Sequence, residues 1–300
     1  MLEWIWSVSS IVNKVHELDM KAVAITDYYG VYGMVDFYRT AKDLEINPIV
    51  WVELGLVDSL KVSIHQEDVS NIVLLAENKE WYDNILNLVS LAHVSLVHYK
   101  PCIDLDTLEK HKEWLFGFMG GKKSVLGAMI LQWVKDDELK DYLTRLLKIF
   151  GKDKFYIEVV AQDYKREKDL KVINDRLISL SDSANIGKIV ANDYHYVEKS
   201  DKEAFELALA IKDGLKLYDE ERRKVAGNYH IFTEAEIIEV MEKNGFDKKS
   251  VDEMIQTTAS IAEKCMLKLD LYQSLFPLYE SPTEITDLYS ANQDNMVEKK

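Results

Sequence analysis

The chain has 300 residues, of which 47% are hydrophobic and 30% charged, with 37 Lys and Arg against 52 Asp and Glu for a formal net charge of −15. That composition supplies a packed core and excludes a disordered chain, and so acidic a surface repels phosphate backbones, so direct nucleic-acid binding is not expected, although a local basic patch fits within the sum. With 12 Gly and 4 Pro the chain is poor in turn formers, which argues against collagen-like, linker-rich or turn-dense all-β architectures. Residues 22–26 form a short β-type run ending at Asp27, and 31–45 show helical spacing through Met34, Phe37, Tyr38 and Ala41. Residues 48–54 are apolar and β-branched, as in a buried strand, and 60–64 form a candidate hairpin partner. A second buried strand is predicted over 71–76, followed by a long helix over 79–94.

The rhythm then repeats. Strands are predicted over 114–119, 154–160 and 188–192, with helices over 124–134, 136–150 and 165–185. Alternating strand–helix units favour a parallel sheet, open or closed into a barrel, with the barrel slightly preferred. After Ser200 the pattern is mostly helical. Ser200–Glu203 and Thr233–Glu236 fit the capping-box pattern, and Ser250–Glu253 fits it too but can lie inside a helix begun at Asp247. Residues 228–232 form a short β-like piece between helices. The expected organisation is a βα barrel body over 1–200, a helical continuation over 201–270 and a poorly ordered tail over 271–300.

Cys102 and Cys265 stand far apart and in no CxxC pair, as expected of two reduced thiols in a cytoplasmic protein. No apolar run reaches the roughly 20 residues of a membrane helix. The apolar start, Met1 to Trp6, carries Glu3 and lacks a basic region and a cleavage site, so it is not read as a signal peptide.

Four constellations could carry chemistry. Asp193 and His195 follow a predicted strand, where α/β folds gather their sites. They could share a metal, the carboxylate could orient the imidazole, or Asp193 could cap the next element while His195 bonds within a loop. Glu53 is a carboxylate late in an apolar strand, costly unless paired, unless bound to a cation or unless the strand lies at an edge. Asp27 closes another strand and is either a ligand or, more simply, a cap. The run from Gly117 to Ser124 invites a P-loop reading, but Lys122 stands where the second Gly belongs and two lysines precede Ser124, so a strand-to-helix turn capped by Ser124 is expected instead. The other histidines (His16, His65, His93, His98, His111 and His230) form no HExxH or HxH pair and read as surface or satisfied core residues.

In order along the chain, several segments resemble one family. AITDYYGVYG at 24–33, FY at 37–38, AK at 41–42 and INPIV at 46–50 are similar to "ALTDHGNLYG…FYKAAKKAGIKPIIGCE". That text opens the PHP (polymerase and histidinol phosphatase) domain as found in alpha subunits of bacterial DNA polymerase III. IVLLAEN at 72–78 resembles the family's "HLVLLAKN", LVSLAH at 88–93 and YKPCID at 99–104 resemble "LVSLAH" and "YKPRID", and ANDYHY at 191–196 resembles "ATNDVHY". IAEKC at 261–265 with LD at 269–270 resembles "IAERCNLELD", so the likeness runs from about Ser9 to Asp270.

The resemblance implies a distorted (β/α)7 barrel. In active members, a cluster of His, Asp, Glu and sometimes Cys at the barrel mouth binds up to three metal ions that activate water for phosphoester cleavage. This sequence departs from the pattern. The HxH of the first strand has no counterpart, so a barrel lacking that strand is expected. Tyr28 stands in place of the His of "TDH", Asn71 in place of the His opening "HLVLLAKN", and Gly121 in place of the Cys near "LSGC". Glu53, Asp193 and His195 are the surviving metal-ligand positions, enough for at most one weakly held zinc or manganese ion. Metal-dependent hydrolysis is therefore expected to be absent or vestigial, and no catalytic residue is assigned.

The resemblance also implies a much longer enzyme, a DNA-directed DNA polymerase whose nucleotidyl-transferring palm is not in this sequence. The leading expectation is a non-catalytic PHP portion of a replicative polymerase, as a split subunit, a gene fragment or a mis-started reading frame. It would buttress the remaining alpha-subunit segments and, as the family implies, dock a proofreading exonuclease subunit. The alternative is a free-standing metal-dependent phosphoesterase of the PHP class using Glu53, Asp193 and His195.

Overall fold

The computed structural model describes residues 6–60, 69–94, 100–112, 115–216 and 218–272. The stretch at 61–64, His65 and His98, and the tail from 273 onward lie outside the described residues, as do Met1 to Ile5. The chain divides into two units, 1–268 and 269–300. In the second, the Tyr272 amide donates to Asp270 Oδ1 (3.1 Å).

Among the described residues, seven strands build the first unit. They are β1 (Ala22–Tyr28), β2 (Asn47–Val57), β3 (Ser70–Ala76), β4 (Cys102–Asp104), β5 (Leu115–Gly120), β6 (Phe155–Val160) and β7 (Gly187–Ala191). They form one curled sheet in the order β1-β2-β3-β5-β6-β7, with β4 on β2. The β1–β2, β2–β4, β5–β6 and β6–β7 pairs are parallel. β3 runs antiparallel to both β2 and β5, so the sheet is mixed rather than uniformly parallel. The reason lies in chain length: the link over 58–69 is at the lower limit for a parallel crossover, which takes a dozen or more residues and usually a helix.

The apolar periodicities place the helices. The first part of the chain carries α1 (Val8–Glu17), α2 (Met34–Asp43), α3 (Lys79–Val94) and α4 (Leu105–Lys110). The strands β5 to β7 alternate with α5 (Val125–Leu131), α6 (Asp136–Phe150) and α7 (Lys168–Ala184). The continuation is helical: α8 (Lys202–Lys212), α9 (Glu234–Lys243) and α10 (Lys248–Lys264). In α3 the buried residues Trp81, Ile85, Leu88 and Ala92 recur at helical spacing and join the main core with Leu74, Phe116 and Phe118. Among the described residues, no helix is long and apolar enough to cross a membrane.

Local signals explain most boundaries. Ser124 Oγ accepts from the Gly127 amide (3.0 Å), which makes the 117–124 segment a strand-to-helix turn. Thr233 and Glu236 form the predicted capping box. Asp247 caps α10 by accepting from the Ser250 amide, so Ser250 lies within that helix. The box expected at Ser200 is displaced: Glu198 and Asp201 cap a short 3₁₀ turn that precedes α8. Residues 228–232 are not a strand. They run irregularly beside 195–197, where the His195 amide donates to the Tyr229 carbonyl (2.7 Å).

Among the described strands, β1 and β7 each pair on one side only, so the sheet is an open half-barrel. The Tyr194 hydroxyl, just past β7, donates to the Ala24 carbonyl of β1 (2.7 Å). Below it, α10 packs along β7, and its last turn receives the Asn47 amide of β2 at the carbonyls of Ala262 (3.1 Å) and Cys265 (2.8 Å). The side chain of Tyr194 thus links the two edges where strand pairing does not, and α10 ties β7 to the start of β2.

Candidate functional site at the mouth of the half-barrel

Strand register brings the site together. Tyr28 of β1 lies opposite Glu53 of β2, Gly55 lies opposite Asn71 of β3, and Gly120 of β5 lies opposite Glu158 of β6. Side chains alternate along each strand, so these residues form one layer on one face. Beneath them on the same face, Trp51, Phe118 and Tyr156 stack, with ring centroids 4.6 Å and 5.7 Å apart. The carboxylates therefore sit on an aromatic floor. The close approach of β6 accounts for Gly120, because a Cβ there would lie 2.2 Å from the Glu158 carbonyl oxygen.

β2 is a central strand, so the edge-strand reading of Glu53 does not hold. Glu53 Oε1 accepts from the Asn71 side-chain amide (2.5 Å). Burial pushes the Glu53 carboxyl up to about 7, against the Asn71 hydrogen bond and the positive charge of Lys123. Glu158 is pushed up to about 8 by burial and by the neighbouring charges of Glu53 and Asp193.

Asp193 and His195 lie in the loop after β7, with His195 Nε2 3.4 Å from Asp193 Oδ1. Burial opposes ionisation of Asp193, but the hydrogen bond and charge of His195, helped by Lys123, hold it below the ordinary carboxylate range. The imidazole stacks on Phe205, with centroids 5.3 Å apart and planes 13° from parallel. Asp193 is thus within reach of orienting the imidazole, while the His195 backbone amide is held by the Tyr229 carbonyl (2.7 Å).

The three departures from the family pattern have distinct structural roles. The Tyr28 hydroxyl accepts from Lys123 Nζ (2.8 Å), and the same ammonium lies 4.3 Å from the centre of the Tyr28 ring. Asn71 holds Glu53 through its side chain, and its backbone amide donates to the Lys123 carbonyl (2.8 Å). Gly121 has φ +66°, a left-handed conformation that a cysteine would adopt only with strain. Beside them, Tyr29 has φ 62° and is held there by two backbone contacts: its amide donates to the Glu53 carbonyl (2.8 Å), and its carbonyl meets His93 Nε2 (2.7 Å). Asp27 accepts from the Gly33 amide (3.0 Å) across the turn before α2; Gly33 itself stands at the N-cap of α2, and no side chain caps that helix, so Asp27 braces the turn rather than capping the helix.

The structure thus brings Glu53, Asp193 and His195 to one mouth, with Tyr28 and Asn71 beside them. Sequence reasoning missed Glu158, Lys123 and the placement of His93. Glu158 was detectable, since it alternates with Tyr156 near the carboxyl end of a strand. Lys123 was not, because its partner Tyr28 is 95 positions away. Among the described residues, no three His, Cys, Asp or Glu side chains converge as a group able to hold a metal ion.

Several known proteins are similar to this chain. The alpha subunit of DNA polymerase III from Borreliella burgdorferi is 30% identical over 297 residues, covering 96% of this chain and 25% of that protein. The corresponding subunit from Thermus aquaticus is 30% identical over 278 residues, covering 88% of this chain and 22% of that protein. The chain spans about a quarter of the length of the curated relatives it matches. Among solved structures, an amidohydrolase from Chromobacterium violaceum superposes with a TM-score of 0.41 at 9% identity, covering 63% of this chain and 82% of that one. The PHP domain profile matches residues 5–162, more than half of the sequence, and the chain belongs to the PHP domain family.

Proposed function

We propose that this chain is the PHP portion of a DNA polymerase III alpha subunit, acting in DNA replication as a non-catalytic scaffold in the cytoplasm. Its partners are the remaining alpha-subunit segments and a proofreading exonuclease subunit. The observation that carries the non-catalytic reading is the hydrogen bond from Asn71 to Glu53. A carboxylate position that the family uses for metal is engaged by an amide donor, and the Lys123 ammonium sits beside it on Tyr28. Donor amides and ammonium groups fit a cation poorly, and the Asp193–His195 pair alone supplies two ligands where stable zinc sites use three or four. No hydrolytic step is assigned to the site. The net charge of −15 suits a scaffold that does not itself contact DNA.

The test is co-purification. Tagged chain is mixed with the rest of the alpha subunit and, separately, with the exonuclease subunit. Stoichiometric retention of either partner is the expected result, and failure to retain both sinks the scaffold reading. The alternative of a free-standing phosphoesterase predicts chelator-sensitive hydrolysis of a chromogenic phosphate ester, which the scaffold reading does not.

A further inference from the structure

The mouth of the half-barrel gathers Glu53, Glu158 and Asp193 on one concave face. Such a group of carboxylates is costly to ionise, and a positive charge facing it lowers that cost. Lys123 is placed there by three contacts, two of them to Tyr28. Its carbonyl is held by the Asn71 amide (2.8 Å). Its ammonium donates to the Tyr28 hydroxyl (2.8 Å) and lies over the Tyr28 ring (4.3 Å). Both of its anchors flank Glu53: Tyr28 lies opposite Glu53 in the strand register, and the Asn71 side chain donates to Glu53 (2.5 Å). A positive charge there favours the ionised forms of Glu53 and Asp193. The neighbouring Lys122 points elsewhere, to Glu167 (2.8 Å), so the orientation belongs to Lys123 and not to a generally basic loop.

We propose that the Lys123 ammonium, anchored by Tyr28 and Asn71, is the resident counter-cation of this mouth and takes the place of a divalent ion. This rests on the non-catalytic reading above and deepens it. Tyr28 and Asn71, which interrupt the ligand pattern, then have a shared role. Tyr28 offers a lone pair and a ring face to the ammonium, and Asn71 fixes both Glu53 and the backbone that carries Lys123. A tethered cation needs no metal supply and cannot dissociate.

The test compares the wild-type chain with Lys123→Met and Lys123→Arg by thermal unfolding, with and without Mn²⁺ alone as the probe. The wild type and Lys123→Arg should unfold at closely similar temperatures and ignore Mn²⁺. Lys123→Met should unfold several degrees lower and recover part of that loss when Mn²⁺ is added, because a ligand that binds only the folded state raises its stability. A Lys123→Met protein as stable as the wild type and equally indifferent to Mn²⁺ overturns the proposal. Should that variant not fold, Tyr28→Phe is the second probe. Loss of the anchoring hydroxyl should give a smaller drop in Tm that added Mn²⁺ partly restores, and an unchanged Tm overturns the proposal. The two readings fail separately. A wild type that binds Mn²⁺ and hydrolyses phosphate esters contradicts the non-catalytic scaffold. An inert wild type whose Lys123→Met variant behaves identically contradicts only the role of Lys123.

Discussion

Two adjacent lysines serve two clusters of carboxylates, and the clusters are built on opposite plans. Lys122 reaches Glu167, whose buried carboxylate also accepts from the Tyr229 hydroxyl (2.9 Å) and the Gly227 amide (3.2 Å). Every lone-pair direction that matters has a donor, and the network ties α7's start to the 227–229 segment. Lys123 turns to the mouth, where, among the described residues, Glu53 accepts from the Asn71 amide, and Glu158 is raised by burial and like charge. The difference separates a carboxylate that the fold supplies with three donors from carboxylates whose ionised forms burial and like charge oppose.

Two substitutions sharpen the contrast, taken from the larger effect to the smaller. Glu167→Ala should destabilise the chain by on the order of 3 kcal/mol in urea unfolding, because it strips acceptors from a buried hydroxyl, an amide and an ammonium at once. A loss well under that would show that the Glu167 network is dispensable. Glu158→Gln should have the opposite sign, with a gain that grows as pH rises from about 4.5 to about 8 and is largest above that. The Glu158 carboxyl is raised from its ordinary 4.5 to about 8 in the folded chain. Between those values the folded state holds a proton that the unfolded state has released, so wild-type stability falls as pH rises through that window. The amide cannot ionise and escapes that loss. Relative to wild type, Glu158→Gln should gain about 2 kcal/mol at pH near 9, discounted for the partial exposure of the site, and nothing near pH 4. A pH-independent difference would show that Glu158 is not the group under strain.

Much of this was legible in the sequence because it depends on short-range chemistry. Glu53 stood out as a carboxylate inside an apolar strand, Ser124 as a cap and Thr233–Glu236 as a capping box, since each is decided within a few residues. The resemblance to the PHP family carried the barrel and the placement of Asp193 and His195. What stayed hidden depends on pairing across the chain. The antiparallel direction of β3 goes with the short link over 58–69 and shows only once β3 is paired with β2. Lys123 meets Tyr28 only through the curl of the sheet. The left-handed backbone at Gly121 could not be read from a glycine alone, yet it explains why that position disfavours a cysteine in this chain. The helix α1 escaped notice because its signal is three buried residues, Ile11, Val12 and Val15, behind a serine cap.

The central claim is that the mouth neutralises its carboxylates from within. The most direct measurement is the metal content of the chain purified at neutral pH after expression in medium supplemented with Mn²⁺ and Zn²⁺, read by elemental analysis against protein concentration. The account predicts metal far below one ion per chain, unchanged by prior dialysis against a chelator. One or more ions per chain, removed by the chelator with loss of thermal stability, would contradict it.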